Sequence, residues 1–193
     1  MTDTLTGRVA IVTGGSDGIG RATAALLARR GATVVICARR PDKLEEARAA
    51  IAAEGTVEAI QLDVSDTDAF AAMIADVAAR HGRLDMLVNN AMSVHYVPIA
   101  QMNLEMWRQD FAVNADAVFI GTKAAMEIMT RQGGGSIVNI SSTCGIRAMP
   151  AMASYSASKA ALIQFTAVAA MEGARSSVRV NAIVPGQVNT PAT

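Results

Sequence analysis

Residues 8–20 read Arg-Val-Ala-Ile-Val-Thr-Gly-Gly-Ser-Asp-Gly-Ile-Gly. An apolar run, Arg8 to Thr13, passes directly into a turn containing Gly14, Gly15, Gly18 and Gly20, and a helical pattern follows from about Arg21. The backbone must bend tightly there and stay bare, which glycine permits because it has no Cβ. Outward from this turn, Val- and Ile-rich runs recur at Thr33 to Ala38, Val57 to Leu62, Leu84 to Asn89, Ser136 to Ser141 and Val178 to Val184. Between them the apolar residues take helical spacing. Phe70, Met73, Ile74 and Val77 show it most clearly, since steps of three and four place them on one helix face. Pro41 suits a first helical position, Ser65 and Asp68 a capping box, and Gly31, Gly55, Gly82, Gly133 and Gly173 the ends of helices.

Strands that are apolar along most of their length and alternate with helices predict an α/β fold. We expect a doubly wound, Rossmann-like parallel sheet of six strands in three αβα layers, forming a single domain over residues 1–193. The chain is 51% hydrophobic and only 18% charged, so it carries a core and is not disordered. Seventeen basic and seventeen acidic residues cancel, and basic residues never run beyond a pair, so neither nucleic acid nor an anionic membrane is expected as a partner. No apolar stretch approaches the ~18 residues of a spanning helix, and Met1 to Gly7 lacks the pattern of an export signal; a cytoplasmic protein is expected. Cys37 and Cys144 match no metal or redox spacing, so both are read as free thiols and no metal is expected.

A glycine turn between a first strand and a first helix suits a pyrophosphate, which can approach backbone amides where the helix dipole favours negative charge. The spacing is neither G-x-G-x-x-G nor a P-loop. After the second strand come Ala38, Arg39 and Arg40, where a dinucleotide fold presents the residue that meets the adenosine ribose. Arginine suits a 2'-phosphate, so NADP(H) is favoured, with NAD(H) as the alternative. Asp17 would oppose the phosphate if it pointed that way.

Ser141 and Ser142 lie near the fifth strand, and Tyr155 and Lys159 stand four apart. On a helix that spacing sets the ammonium beside the phenol, where a cation would stabilise phenolate and bring a group of pKa ~10 toward working range. Tyr155 would then exchange a proton with an alcohol or carbonyl oxygen that Ser142 holds, while a nicotinamide takes or gives the hydride.

With these residues in hand, the sequence resembles the short-chain dehydrogenase/reductase family. The matching stretches are Thr13 to Gly20, Asp63-Val64, Asn89-Asn90-Ala91, Asn114, Ser142 with Tyr155 and Lys159, and Pro185-Gly186 with Thr190, in the family's order over nearly the whole chain. The resemblance implies a tetrad of Asn114, Ser142, Tyr155 and Lys159, with Asn114 holding a water in a proton relay and Lys159 binding the nicotinamide ribose. It implies that Gly14, Ser16, Asp17, Gly18, Ile19 and Gly20 border the cofactor, which Arg39 and Arg40 are expected to meet by the charge argument above. It also implies that Asp63 and Val64 contact adenine, that Asn90 and Ala91 line the cleft, and that Pro185, Gly186, Val188 and Thr190 meet the nicotinamide end. Relatives commonly pair through the helices containing Asn114 and Tyr155, so a homodimer or homotetramer is expected. Two departures stand out. Met92 replaces the usual glycine after Asn-Asn-Ala, and the chain stops at Thr193 without the family's substrate lid and seventh strand; a longer polypeptide is the expected explanation.

Met92, Val94, His95, Tyr96, Thr143, Cys144, Ile146, Met149 and Met152 should surround the substrate, an apolar and adaptable lining that suits a carbonyl or secondary alcohol with an apolar body. His95 and Arg147 are read as loop residues rather than ionic contacts, and Trp107 and Phe111 as helix packing. The expected activity is an NADP(H)-dependent oxidoreductase acting on CH-OH/C=O groups. A catalytically inactive dinucleotide-binding sensor or scaffold is the competing reading, and an inactive fragment without a settled fold a third.

Overall fold

A computed structural model describes residues 5–190. Six strands form one parallel sheet: β1 (Val9–Thr13), β2 (Thr33–Ala38), β3 (Val57–Gln61), β4 (Met86–Asn89), β5 (Gly135–Ile140) and β6 (Val178–Ile183), in the order β3-β2-β1-β4-β5-β6. Six α-helices connect them: α1 (Gly18–Arg29), α2 (Pro41–Ala52), α3 (Thr67–His81), α4 (Leu104–Phe111), α5 (Ala117–Arg131) and α6 (Ala153–Gly173). The expected strands are all present, with ends that differ by at most two residues.

Side chains alternate across the sheet, so each strand feeds two cores. Ile11, Val35, Leu87, Ile137 and Val180 pack toward α3, α5 and α6, where Phe70, Met73, Ile74 and Val77 meet them. Ala10, Val12, Val34, Ile36, Val88 and Ile140 face α1 and α2. On this second face a groove of about 640 Å³ opens between α1 and β4, β5 and β6, lined by Thr23, Leu27, Val138, Ile140 and Ile183 among others. β6 is an edge of the sheet among the described residues. No helix among them is long and apolar enough to cross a membrane.

Several local expectations need correction. Helix α1 begins at Gly18, three residues before Arg21, because the Asp17 carboxylate accepts from Gly18 N and caps it. The cap of α3 is Asp66, which accepts from Ala69 N, while Ser65 donates instead to Asp63. Gly173 ends α6 as expected, at φ −68°, and glycine is required there because a Cβ would meet Val178 O; the left-handed residue beyond it is Ser177.

Candidate active site

The glycine turn, Arg39 and Arg40, Asp63 and Val64, Asn90 and Ala91, Ser142, and Pro185 to Thr190 follow the carboxyl ends of β1, β2, β3, β4, β5 and β6 in turn. β1 hydrogen-bonds β2 on one side and β4 on the other, so chain connections depart in opposite directions there and leave a crevice above the strand ends. Gly14 (φ +63°) and Gly18 (φ +49°) adopt left-handed backbone, and a Cβ on Gly20 would fall on Gly14 O and Asn90 Nδ2. Asn90 closes the crevice from the β4 side. Its Nδ2 donates to Thr13 O (3.0 Å) and Gly14 O (3.2 Å), while Thr13 Oγ1 accepts from the backbone of Asn90 and Ala91. Thr190 approaches the glycine turn so closely that a Cβ on Gly18 would lie 3.3 Å from its Cβ. The segment from Pro185 to Thr190, including Gly186 and the exposed Val188, therefore spans from the Ser142 turn, where Pro185 O accepts from Thr143 N (2.9 Å), to the glycine turn. These bare, converging backbones fit an extended anionic dinucleotide.

Beyond the carboxyl ends of β2 and β3, Arg39, Gln61, Leu62, Asp63 and Asp66 line a hollow of about 310 Å³. Arg39 lies 3.8 Å from Asp63 and Arg40 lies 3.6 Å from Asp17, all partly exposed. The other oxygen of Asp17 is engaged by Gly18 N, so the acid opposing a phosphate is already shared between a cap and an arginine. Ser16 is buried beside the turn. The Val64 side chain belongs to the core, so only its backbone can border the hollow, and Ile19 lines the groove beneath the sheet.

The tetrad residues converge from three elements. Asn114 sits, fully buried, in a π-helical turn (Ala112–Asp116) between α4 and α5, a widening of the helix that sequence periodicity does not announce. Ser142 caps a 3₁₀ turn (Thr143–Gly145), its Oγ accepting from Cys144 N at 3.1 Å. Gly145 lets that turn press on α6, since a Cβ there would lie 2.8 Å from the Lys159 carbonyl carbon. Tyr155 and Lys159 occupy successive turns of α6, with Lys159 Nζ 5.6 Å from the ring centroid and donating to Ile140 O at 2.8 Å. Burial pulls Lys159 down to about 8. Burial also pushes the Tyr155 phenol up, and a hydrogen bond with Ser142 draws it back only in part. The expected lowering of the phenol by the lysine is thus not what this arrangement produces; desolvation wins.

Of the expected substrate lining, Met92, Tyr96, Ile146 and Met149 are exposed, and Cys144 Sγ lies 4.0 Å from Met152 Sδ. Trp107 and Phe111 stack on each other at 4.9 Å. His95 lies in a loop, as expected, but its Nδ1 lies 2.9 Å from the fully buried Asp110, a carboxylate that sequence reading missed. Asn139, the partner of Asn89, was missed as well. Asn89 Nδ2 donates to Asn139 Oδ1 (2.9 Å) and Asn139 Nδ2 to Thr166 Oγ1 (3.0 Å), a buried ladder from the sheet to α6. Both sit at strand positions where an apolar residue is the usual choice, and that break in pattern was the available signal.

A family model described as short chain dehydrogenase matches residues 8–193. The chain is 38% identical to a 3-oxoacyl-(acyl-carrier-protein) reductase of Thermotoga maritima over 98% of its length and 77% of the relative's. It is 40% identical to a 2,5-dichloro-2,5-cyclohexadiene-1,4-diol dehydrogenase of Sphingobium indicum over 100% of its length and 78% of the relative's. Among solved structures, NAD⁺-bound xylitol dehydrogenase superposes with a TM-score of 0.91 at 32% identity, covering 95% of this chain and 71% of that one. A Beutenbergia cavernae protein described as an NAD(P)-dependent gluconate 5-dehydrogenase, holding NADP at low occupancy, superposes with a TM-score of 0.93 at 37% identity, covering 99% of this chain and 76% of that one.

Proposed function

The chain belongs to the short-chain dehydrogenase/reductase family, and on that premise we propose that it is an NADP(H)-dependent oxidoreductase interconverting a ketone and a secondary alcohol, with Tyr155 as general acid and base. The observation that carries this reading is the convergence of Ser142, Tyr155 and Lys159 beside a crevice built by Gly14, Gly18, Gly20 and Asn90. Bound in that crevice, a nicotinamide dinucleotide supplies the hydride. Ser142 orients the substrate oxygen through its hydroxyl, and Tyr155 donates its proton to that oxygen during reduction. Because burial holds the phenol up, Tyr155 is protonated at neutral pH and ready to act as the acid. Lys159 gives the oxidative direction its help, placing positive charge beside the phenolate that must form there.

Arg39 favours NADP(H) over NAD(H) for the reason of charge already given. The substrate wall, with Val94, Ile146 and Met149, suits an alicyclic or otherwise apolar ketone, in keeping with the ring diol in the name of the Sphingobium relative. We read the protein as a cytoplasmic homodimer or homotetramer; α5 and α6 expose Phe119, Val168 and Met171, an apolar surface of the kind that partner copies cover.

Cyclohexanone, ethyl acetoacetate and cyclohexanol, each offered with both cofactors, test the reading. Turnover that Tyr155→Phe reduces at least ~100-fold while NADPH affinity is kept supports it, and retained turnover removes Tyr155 from the chemistry. NADPH binding without turnover of any probe by the parent chain favours the sensor or scaffold.

A further inference from the structure

Asp110, at the last turn of α4, has no exposed surface, and its carboxylate accepts from donors on two separate elements. On the loop after β4 these are Ser93 Oγ (2.8 Å), His95 N (3.2 Å) and His95 Nδ1 (2.9 Å). On the first turn of α6 the donor is Ser154 Oγ. A buried carboxylate is tolerable only where donors converge in this way. Burial alone would push the carboxyl up, but the four hydrogen bonds outweigh it and keep Asp110 below the usual carboxylate range.

What the two elements carry gives this convergence its meaning. Ser154 is the residue before Tyr155, and Ser93 to His95 belong to the loop read as a wall of the substrate site. A loop outside the sheet has no strand ladder to hold it. Beyond Asp110, this one is tied by the backbone of Ser93 to Asn114 and by a single bridge between Val97 and Met152.

We propose that Asp110 is a positioning residue that clasps the Ser93–His95 loop to the α6 turn bearing Tyr155, so that the substrate wall and the proton donor hold one fixed relation. The inference rests on the reading of Tyr155 as proton donor. The two halves of the clasp have separable consequences. Loss of the Ser154 bond loosens Tyr155 against the substrate oxygen, a defect in the chemical step; loss of the Ser93 bond loosens the wall, a defect in substrate affinity.

The test uses the full chain with cyclohexanone and NADPH, in parallel with amide hydrogen exchange. Ser154→Ala should lower kcat about tenfold and leave KM within about twofold, whereas Ser93→Ala should raise KM about tenfold and leave kcat within about twofold. Asp110→Leu, which fills the volume without an acceptor, should combine both defects, and Asp110→Asn, which keeps one acceptor oxygen, should recover part of each. In Asp110→Leu, exchange should quicken together at residues 93–95 and 154–156 and stay unchanged in α3. Kinetic constants that stay within twofold in every variant, defects without the kcat and KM split, or exchange that rises equally in α3 would overturn the clasp. If the parent chain turns over no carbonyl probe, the proton-donor reading fails, and the paired exchange pattern still decides whether Asp110 couples loop and helix.

Discussion

Asn114 pairs with the backbone of Ser93 as one peptide pairs with another: its Oδ1 accepts from Ser93 N at 3.0 Å and its Nδ2 donates to Ser93 O at 2.8 Å. The same Nδ2 reaches Ser158 Oγ at 3.1 Å, one turn along α6 from Ser154. The side chain thus joins the π-helical turn, the loop after β4 and the helix of Tyr155. Asn114→Ala would strand polar groups on buried or half-buried partners, and a loss of about 2 kcal/mol in denaturant unfolding is expected. Asn114→Asp should be no milder, because a second acceptor would then face Ser93 O.

Gly20 and Gly82 separate a packing requirement from a conformational one. A Cβ on Gly20 would fall on Gly14 O and Asn90 Nδ2, breaking the bonds that shape the crevice. Gly82 has open space but a left-handed backbone, φ +71°. Gly20→Ala should weaken NADPH binding at least ~tenfold, with a stability cost of roughly 1–3 kcal/mol from overpacking. Gly82→Ala should cost about 1 kcal/mol and leave the dinucleotide affinity unchanged. Fluorescence titration and thermal unfolding of the two variants side by side check both.

Cofactor preference turns on Arg39, which stands 65% exposed at the hollow it shares with Asp63. Arg39→Asp replaces the cation with a carboxylate that repels a 2'-phosphate and accepts from a free 2'-hydroxyl. The ratio of NADPH to NADH affinity should fall at least ~tenfold, read by titration with both. Arg40→Asp should change it less, because Arg40 is turned toward Asp17. An unchanged ratio in Arg39→Asp would remove Arg39 from cofactor selection.

The first strand was legible because cover on both faces leaves it no polar alternation to blur the signal: Val9 to Thr13 are all buried. The glycine turn was legible because backbone contact excludes side chains, so residue identity reports geometry directly. Helix starts read less well. Asp17 caps α1 from within the glycine turn, and Asp66 rather than its neighbour Ser65 caps α3, since capping depends on one residue's φ and ψ rather than on composition. The long-range polar links were least visible. Asp110 meets Ser154 across 44 residues and Asn89 meets Asn139 across 50, and no local period connects such positions. The sign of the Tyr155 shift was missed for a related reason, because spacing reveals a neighbouring charge but not the depth of burial.

Lys159 offers a test of that burial in the absence of substrate. Only 2% of the residue is exposed, and its ammonium is pulled down to about 8 from an ordinary 10.5. Between those values the unfolded chain binds the proton and the folded chain does not, so this group makes stability rise with pH across that window. Below about pH 8 the folded protein carries a buried ammonium, and the benefit of the neutral form is lost. The full span corresponds to about 3 kcal/mol. Lys159→Met keeps the apolar stem and removes the titration. Relative to the parent, the variant should therefore be most stabilised near pH 7, and its advantage should shrink as pH rises from about 8 toward 10. Denaturant unfolding of both proteins at pH 7, 8, 9 and 10 measures that difference directly, with Cys37, pushed up to about 12 by burial, titrating equally in each. A constant difference across the series would mean that the Lys159 ammonium is better solvated than its position against Ile140 O implies.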